Sequence, residues 1–123
     1  MFLDLGCGEG HFLKLLLTTM PELNAVGVEL IEEAAARARD RLQSFQATIV
    51  TNNLVQFLQS DLLAQRPYDL VVLGEVLYFG VKKEQIDFVV RAVADILSPK
   101  RKWYCKLIIS VHGPIALESK KTK

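Results

Sequence analysis

Short apolar runs alternate along the chain with stretches of helical period, and that alternation predicts βαβ units around a parallel sheet. "MFLDLG" (1–6) reads as a first strand and "HFLKLLLTTM" (11–20) as the helix after it, closed by Pro21. "NAVGVEL" (24–30) is a second, Val-rich strand. "IEEAAARARDRLQSF" (31–45) is the plainest helix, built from Ala, Arg, Glu and Leu, all strong helix formers. Its acids Glu32 and Glu33 come early and its arginines late, the sense that the helix dipole favours.

The next stretch admits two registers. In one, "ATIVTN" (47–52) is the third strand and "LVQFLQSDLLAQ" (54–65) a helix; in the other, "LVQFLQSD" (54–61) is the strand. The second leaves only eight residues from Asp61 to Asp69, too few for a strand exit, a helix and a re-entry. The first places Leu54, Leu58, Asp61 and Leu62 on one helical face with a single polar break, and is preferred. "YDLVVLGE" (68–75) is a buried strand bounded by Arg66-Pro67 and Gly74. "KEQIDFVVRAVADIL" (83–97) follows as a helix with Ile86, Val89, Val90, Val93 and Leu97 on one face, ended by Ser98-Pro99. "CKLIISV" (105–111) is the fifth strand, "HGP" turns the chain, and residues 116–123 read as a polar, frayed tail after a domain of residues 1–115.

Composition narrows the function classes. The net charge of +1, from 15 basic and 14 acidic residues, lacks the basic excess of a bulk nucleic-acid binder. No apolar run reaches the roughly 18 residues that a membrane span needs, and no charged-then-apolar signal segment opens the chain. Cys7 and Cys105 have no metal-ligand spacing, and reduced thiols in the cytoplasm are the simplest expectation.

The chemistry is concentrated at the first loop. Gly6, Gly8 and Gly10 stand at every second position between the first strand and its helix, at the sheet edge where such folds bind ligands. A dinucleotide fingerprint would need glycine at position 11, where His11 stands. Asp4, two residues before Gly6, would repel a pyrophosphate but suits a ligand carrying an ammonium and a sulfonium. "LDLGCGEG" resembles the S-adenosylmethionine loop of the class I methyltransferase family, with Asp4, Gly6, Gly8 and Gly10 on its motif positions and Cys7 as a small residue within the turn.

That resemblance implies a Rossmann-like fold, a doubly wound three-layer sandwich whose mostly parallel five-stranded sheet runs in the order 3-2-1-4-5. It implies S-adenosyl-L-methionine as cofactor and further site residues. Glu29 ends the second strand nineteen residues past Gly10, where an acid would accept bonds from the ribose hydroxyls. Asn53 stands where the family receives the adenine amino group, although a turn role explains Asn52-Asn53 equally well and Asp61 is the fallback. Leu30 and Leu54 would pack on the adenine faces. Gly74 and Glu75 end the fourth strand, beside which the family builds its acceptor pocket. "EVLYF" is weakly similar to a stretch of the NodS nodulation N-methyltransferases. Glu75 would pair with an acceptor amine or take its proton, and Tyr78 and Phe79 would wall the acceptor near the sulfonium. Helix capping by Glu75 and core packing by Tyr78 are the competing readings. His11 reads as a surface residue, and His112 as a weaker acid–base candidate.

The expected activity is methyl transfer to an N or O atom of a small-molecule acceptor, by in-line positioning in a dry site. The chain departs from the family pattern in lacking a leader helix before the first strand and clear sixth and seventh strands after "LIISV". The expectation is therefore an open edge at the fifth strand, covered by self-association or a partner chain, or a shortened product. The alternative function is a non-catalytic, methyltransferase-like module that binds cofactor or a partner.

Overall fold

The computed structural model describes residues 1–65, 68–73, 82–96, 106–109 and 117–118. Strands β1 (Phe2–Leu5), β2 (Ala25–Glu29), β3 (Ala47–Thr51) and β4 (Leu70–Leu73) alternate with helices α1 (His11–Thr19), α2 (Glu32–Arg41) and α3 (Leu54–Ser60). A short 3-10 turn, Leu62–Gln65, leads into β4. A second 3-10 turn, Lys83–Gln85, opens α4 (Ile86–Ile96), and β5 (Lys106–Ile109) and β6 (Leu117–Glu118) complete the sheet. The strand order is β3-β2-β1-β4-β5-β6, parallel except that β6 runs antiparallel to β5.

The central strand carries the layering in its alternation. Phe2 faces one layer, packed with Leu13 and Leu17 of α1 and Ala35 and Ala38 of α2. Leu3 and Leu5 face the other, with Val55 and Phe57 of α3, Tyr68, and Val89 and Val93 of α4. Successive strand residues point to opposite faces, so one apolar strand feeds two cores and the helices must cover both sides. Gly27 of β2 marks a tight place in this packing: a Cβ there would lie 2.8 Å from both Cys7 Sγ and Ile49 Cδ1.

Three sequence expectations are adjusted. The helix expected over 54–65 stops at Ser60, because Asp61, the polar break of its apolar face, turns extended and accepts the Leu63 N–H on Oδ1 at 2.9 Å. The long helix expected over 31–45 ends at Arg41, and Phe45 N–H closes a turn onto Leu42 O. The sheet has six strands rather than five, since Leu117 and Glu118 in the expected tail pair with Leu107 and Lys106. A two-residue strand has no periodicity to read, and its pairing removes β5 from the edge. The preferred register for the third strand holds.

At the opposite edge, Gln46 and Asn52 bond to β2, so the odd positions of β3 present their backbone groups outward. Arg39 reaches over from α2 and donates to Ile49 O through Nε (3.3 Å) and Nη2 (3.2 Å). The same guanidinium donates to Thr51 Oγ1 and to Glu32 Oε1, and Thr51 Oγ1 bonds Glu32 Oε2. Those bonds hold the Glu32 carboxyl below its usual range.

Candidate functional site

Parallel β1 to β4 all end on one side of the sheet, and the glycine loop 6–10 leaves β1 there. Gly6, Gly8 and Gly10 have φ of 82°, 59° and 84°. These are left-handed conformations that a side chain disfavours, which is why the loop needs glycine at alternate positions. At Gly8 a Cβ would meet nothing within 4 Å, so the backbone there borders open space. Gly10 is different: a Cβ would lie 3.1 Å from Leu42 Cδ1 and 3.2 Å from Ala38 Cβ, so helix packing also excludes one. The loop is tied to β2 by Gly6 and Cys7, whose N–H groups both donate to Val28 O at 2.7 and 3.0 Å.

Glu29 closes the site from the end of β2. Its Oε1 accepts the Gly8 N–H at 2.9 Å and its Oε2 accepts the Ile31 N–H at 3.0 Å. An ionised carboxylate accepts about four hydrogen bonds, so capacity for two hydroxyls is left. Below the loop, Asp4 is the only buried acidic or basic side chain among the described residues, 3% exposed. None of the described residues donates a hydrogen bond to its carboxylate. Burial, and then the charge of Glu29, push its pKa up to about 7. Cys7 is also buried; burial first, then the charges of Asp4 and Glu29, push its thiol up to about 12 and leave it unreactive.

This donor set fits the cofactor that the loop implies. The buried Asp4 carboxylate, with no donor among the described residues, suits a cation such as an amino-acid ammonium. Glu29 calls for hydroxyls, and the open space at Gly8 admits a ligand against bare backbone.

The adenine end departs from expectation. Asn53 Oδ1, expected to receive an adenine amino group, accepts the N–H groups of Val55 (2.8 Å) and Gln56 (3.3 Å) and so caps α3. Both lone pairs of this oxygen are used in the cap, which is the turn role the sequence also allowed. Asp61, the fallback, bonds Leu63 at the far end of α3. Leu54 is buried in the core with Leu3 and Leu5, whereas Leu30 is 52% exposed at the mouth of the site. Ile31 beside it is 55% exposed, an apolar surface that the sequence reading passed over. Gly74, Glu75, Tyr78, Phe79 and His112 lie outside the described residues. The last residue of β4, Leu73, pairs with Leu5, the residue before the glycine loop. His11 is exposed, 3.6 Å from Glu9 Oε1.

Sequence reasoning missed the contacts that hold the loop from outside. Arg37 Nη1 donates to Glu9 Oε2 at 2.8 Å and Arg41 Nη1 donates to Glu9 O at 2.8 Å. Arg37 first, with Arg41 adding its charge, holds the Glu9 carboxyl below its usual range. The repeat of arginines in "ARARDR" was the available signal, read only for its effect on the helix dipole. Among the described residues no three His, Cys, Asp or Glu gather as a metal site, and no helix is long and apolar enough to cross a membrane.

Comparison with known proteins places the chain in one family. A family model described as a methyltransferase domain matches residues 3–100. A tRNA (guanine-N(7)-)-methyltransferase of Synechococcus elongatus is 44% identical over 45 residues, 33% of this chain and 21% of that protein. The chain thus spans about a fifth of the length of the curated relative it matches. Among solved structures, an S-adenosylmethionine-dependent methyltransferase from Mesorhizobium loti superposes with a TM-score of 0.63 at 28% identity, covering 80% of this chain and 42% of that one. The plantazolicin methyltransferase BpumL, solved in complex with SAH, gives a TM-score of 0.64 at 24% identity, covering 79% of this chain and 34% of that one.

Proposed function

Because the chain belongs to the methyltransferase-domain family, we propose that its glycine loop binds S-adenosylmethionine and that it serves methyl transfer to an N or O atom of a small-molecule acceptor. The observation that carries the reading is the Glu29 carboxylate bridging the Gly8 and Ile31 amides above a buried Asp4 that no described protein group neutralises. When bound, the cofactor supplies a methyl group already activated on a sulfonium, which leaves as a neutral thioether.

The chain's own work is then binding and alignment. Asp4 holds the ammonium, and the arriving cation favours its ionised form. Glu29 accepts the two ribose hydroxyls while keeping its own bonds to the loop, which orients the nucleoside. Leu30 and Ile31 offer apolar area to the base. The bare backbone around Gly8 lets the ligand approach closely. Glu75 and Tyr78, just past the end of β4, are assigned to the acceptor: Glu75 pairs with or deprotonates the nucleophile, and Tyr78 walls it. Cys7 contributes shape alone.

Titration calorimetry with S-adenosylhomocysteine tests the loop. Wild type gives binding heat and Glu29→Gln weakens it by about tenfold or more, from the loss of charge-assisted bonds. Heat with NAD but none with S-adenosylhomocysteine overturns the reading. Tritiated-methyl transfer tests the acceptor class, with small amines and alcohols in one arm and bulk tRNA in the other, since the curated relative's name carries a nucleobase acceptor. Label in tRNA alone replaces the small-molecule acceptor. Bound cofactor with no transfer to any acceptor favours a binding module.

A further inference from the structure

The glycine loop has few side chains with which to fix its own shape, and one face of α2 supplies them. Arg41 Nη1 donates to Glu9 O, and Arg37 Nη1 to Glu9 Oε2, each at 2.8 Å. Beside these arginines, Leu42 Cδ1 and Ala38 Cβ stand 3.1 and 3.2 Å from where a Cβ on Gly10 would sit, which leaves that position room for glycine alone. Positions 37, 38 and 41 lie on one face of α2 and Leu42 caps its end, so a single element borders both Glu9 and Gly10.

The grip also sets a peptide orientation. In a trans peptide the carbonyl and the following N–H point opposite ways. With Glu9 O held outward by Arg41, Gly10 N–H points inward, where it donates to Cys7 O at 3.1 Å. Gly8, between those two partners, keeps its own N–H on Glu29. With three left-handed glycines in five residues, the free loop would have many competing shapes.

We propose that Arg41 is a positioning residue for the cofactor loop: through the Glu9 carbonyl it holds the one loop shape that receives S-adenosylmethionine. This rests on reading the loop as the cofactor site. Arg37 has the lesser part, since its pair with Glu9 is exposed on both sides and such pairs contribute little. Lys14 shares the groove beside Arg37 and Arg41 but makes no hydrogen bond to the loop through its side chain.

The test compares wild type with Arg41→Ala, Arg41→Lys, Arg37→Ala and Lys14→Ala in two measurements: titration with S-adenosylhomocysteine, and amide hydrogen exchange of residues 6–10 without ligand. Arg41→Ala weakens binding by about tenfold or more, the loss expected for a charge-assisted bond, and speeds exchange in the loop but not in β1 or β2. Arg41→Lys, which keeps one donor in reach, recovers most of both. Arg37→Ala costs no more than about threefold. Lys14→Ala removes the same charge from the same groove and changes neither measurement.

Wild-type affinity and loop exchange in Arg41→Ala overturn the proposal, and so does a Lys14→Ala loss equal to that of Arg41→Ala. If Arg41→Ala unfolds, the Arg41→Lys affinity and exchange decide. If wild type takes no S-adenosylhomocysteine, the functional reading fails and the cofactor role of Arg41 with it.

Discussion

Asp4 is a group on which stability and function pull in opposite directions, and Asp4→Asn separates them. The carboxyl is buried and lifted from 3.8 to about 7. A folded-state pKa above the unfolded one means that the fold holds a proton which the unfolded chain gives up. Without ligand, stability is therefore lost as pH rises from about 4 to 7 and stays low above that. The interval from 3.8 to about 7 corresponds to roughly 4 kcal/mol, of which about 3 kcal/mol develops between pH 5 and pH 8.

Asparagine has the shape of the protonated acid and cannot ionise. Relative to wild type, the ligand-free variant gains on the order of 2–4 kcal/mol at pH 8, and less at pH 5. For a domain of this size the gain at pH 8 is roughly 10 °C in unfolding temperature. Scanning fluorimetry at both pH values, with and without S-adenosylhomocysteine, reads both effects. Wild type is raised by the ligand, by about 2.7 kcal/mol at a hundred times its dissociation constant, and the variant is raised far less. A variant with no pH-dependent advantage refutes the burial argument. One that is stabilised yet binds as tightly as wild type refutes the ammonium role.

The glycines should separate in the same assay. Gly8→Ala costs about 1 kcal/mol, from its left-handed backbone alone, and mainly weakens cofactor binding. Gly10→Ala costs about 2–3 kcal/mol, because its Cβ also presses on Ala38 and Leu42. Equal losses would refute this division. At the α3 cap, Asn53→Ala lowers stability in urea unfolding by about 1 kcal/mol while Asn53→Asp retains it; a selective loss of cofactor affinity in Asn53→Ala would return that side chain to the adenine.

How far the sequence was legible follows from what each feature needs. Strands β1 to β4 and their helices were readable because burial on both faces makes runs such as "LVVL" apolar throughout. The three loop glycines were readable because a left-handed backbone restricts those positions to one or two residue types, and the reading of Asp4 and Glu29 rests on the charge of the proposed cofactor. Asn53 was ambiguous because an amide oxygen caps a helix as readily as it binds a base. The Asp61 break was visible as one polar residue on an apolar face, but whether a helix tolerates or ends at such a residue depends on its local turn. β6 was not readable, being two residues of backbone pairing, and the "ARARDR" repeat was only a faint signal for the Arg41 contact, which joins positions 32 residues apart through a side chain that any exposed helix could carry.

The Arg39 guanidinium on Ile49 O bears on more than the bracing of β3. An outer strand with free carbonyls is a template on which another chain's strand can assemble, the first step toward aggregation. Here an outward carbonyl of β3 is already engaged by a fixed positive charge, and an incoming strand would have to displace it together with its bonds to Glu32 and Thr51. An Arg39→Ala variant is therefore expected to open this edge, read first as a lower concentration at which the protein stays monodisperse.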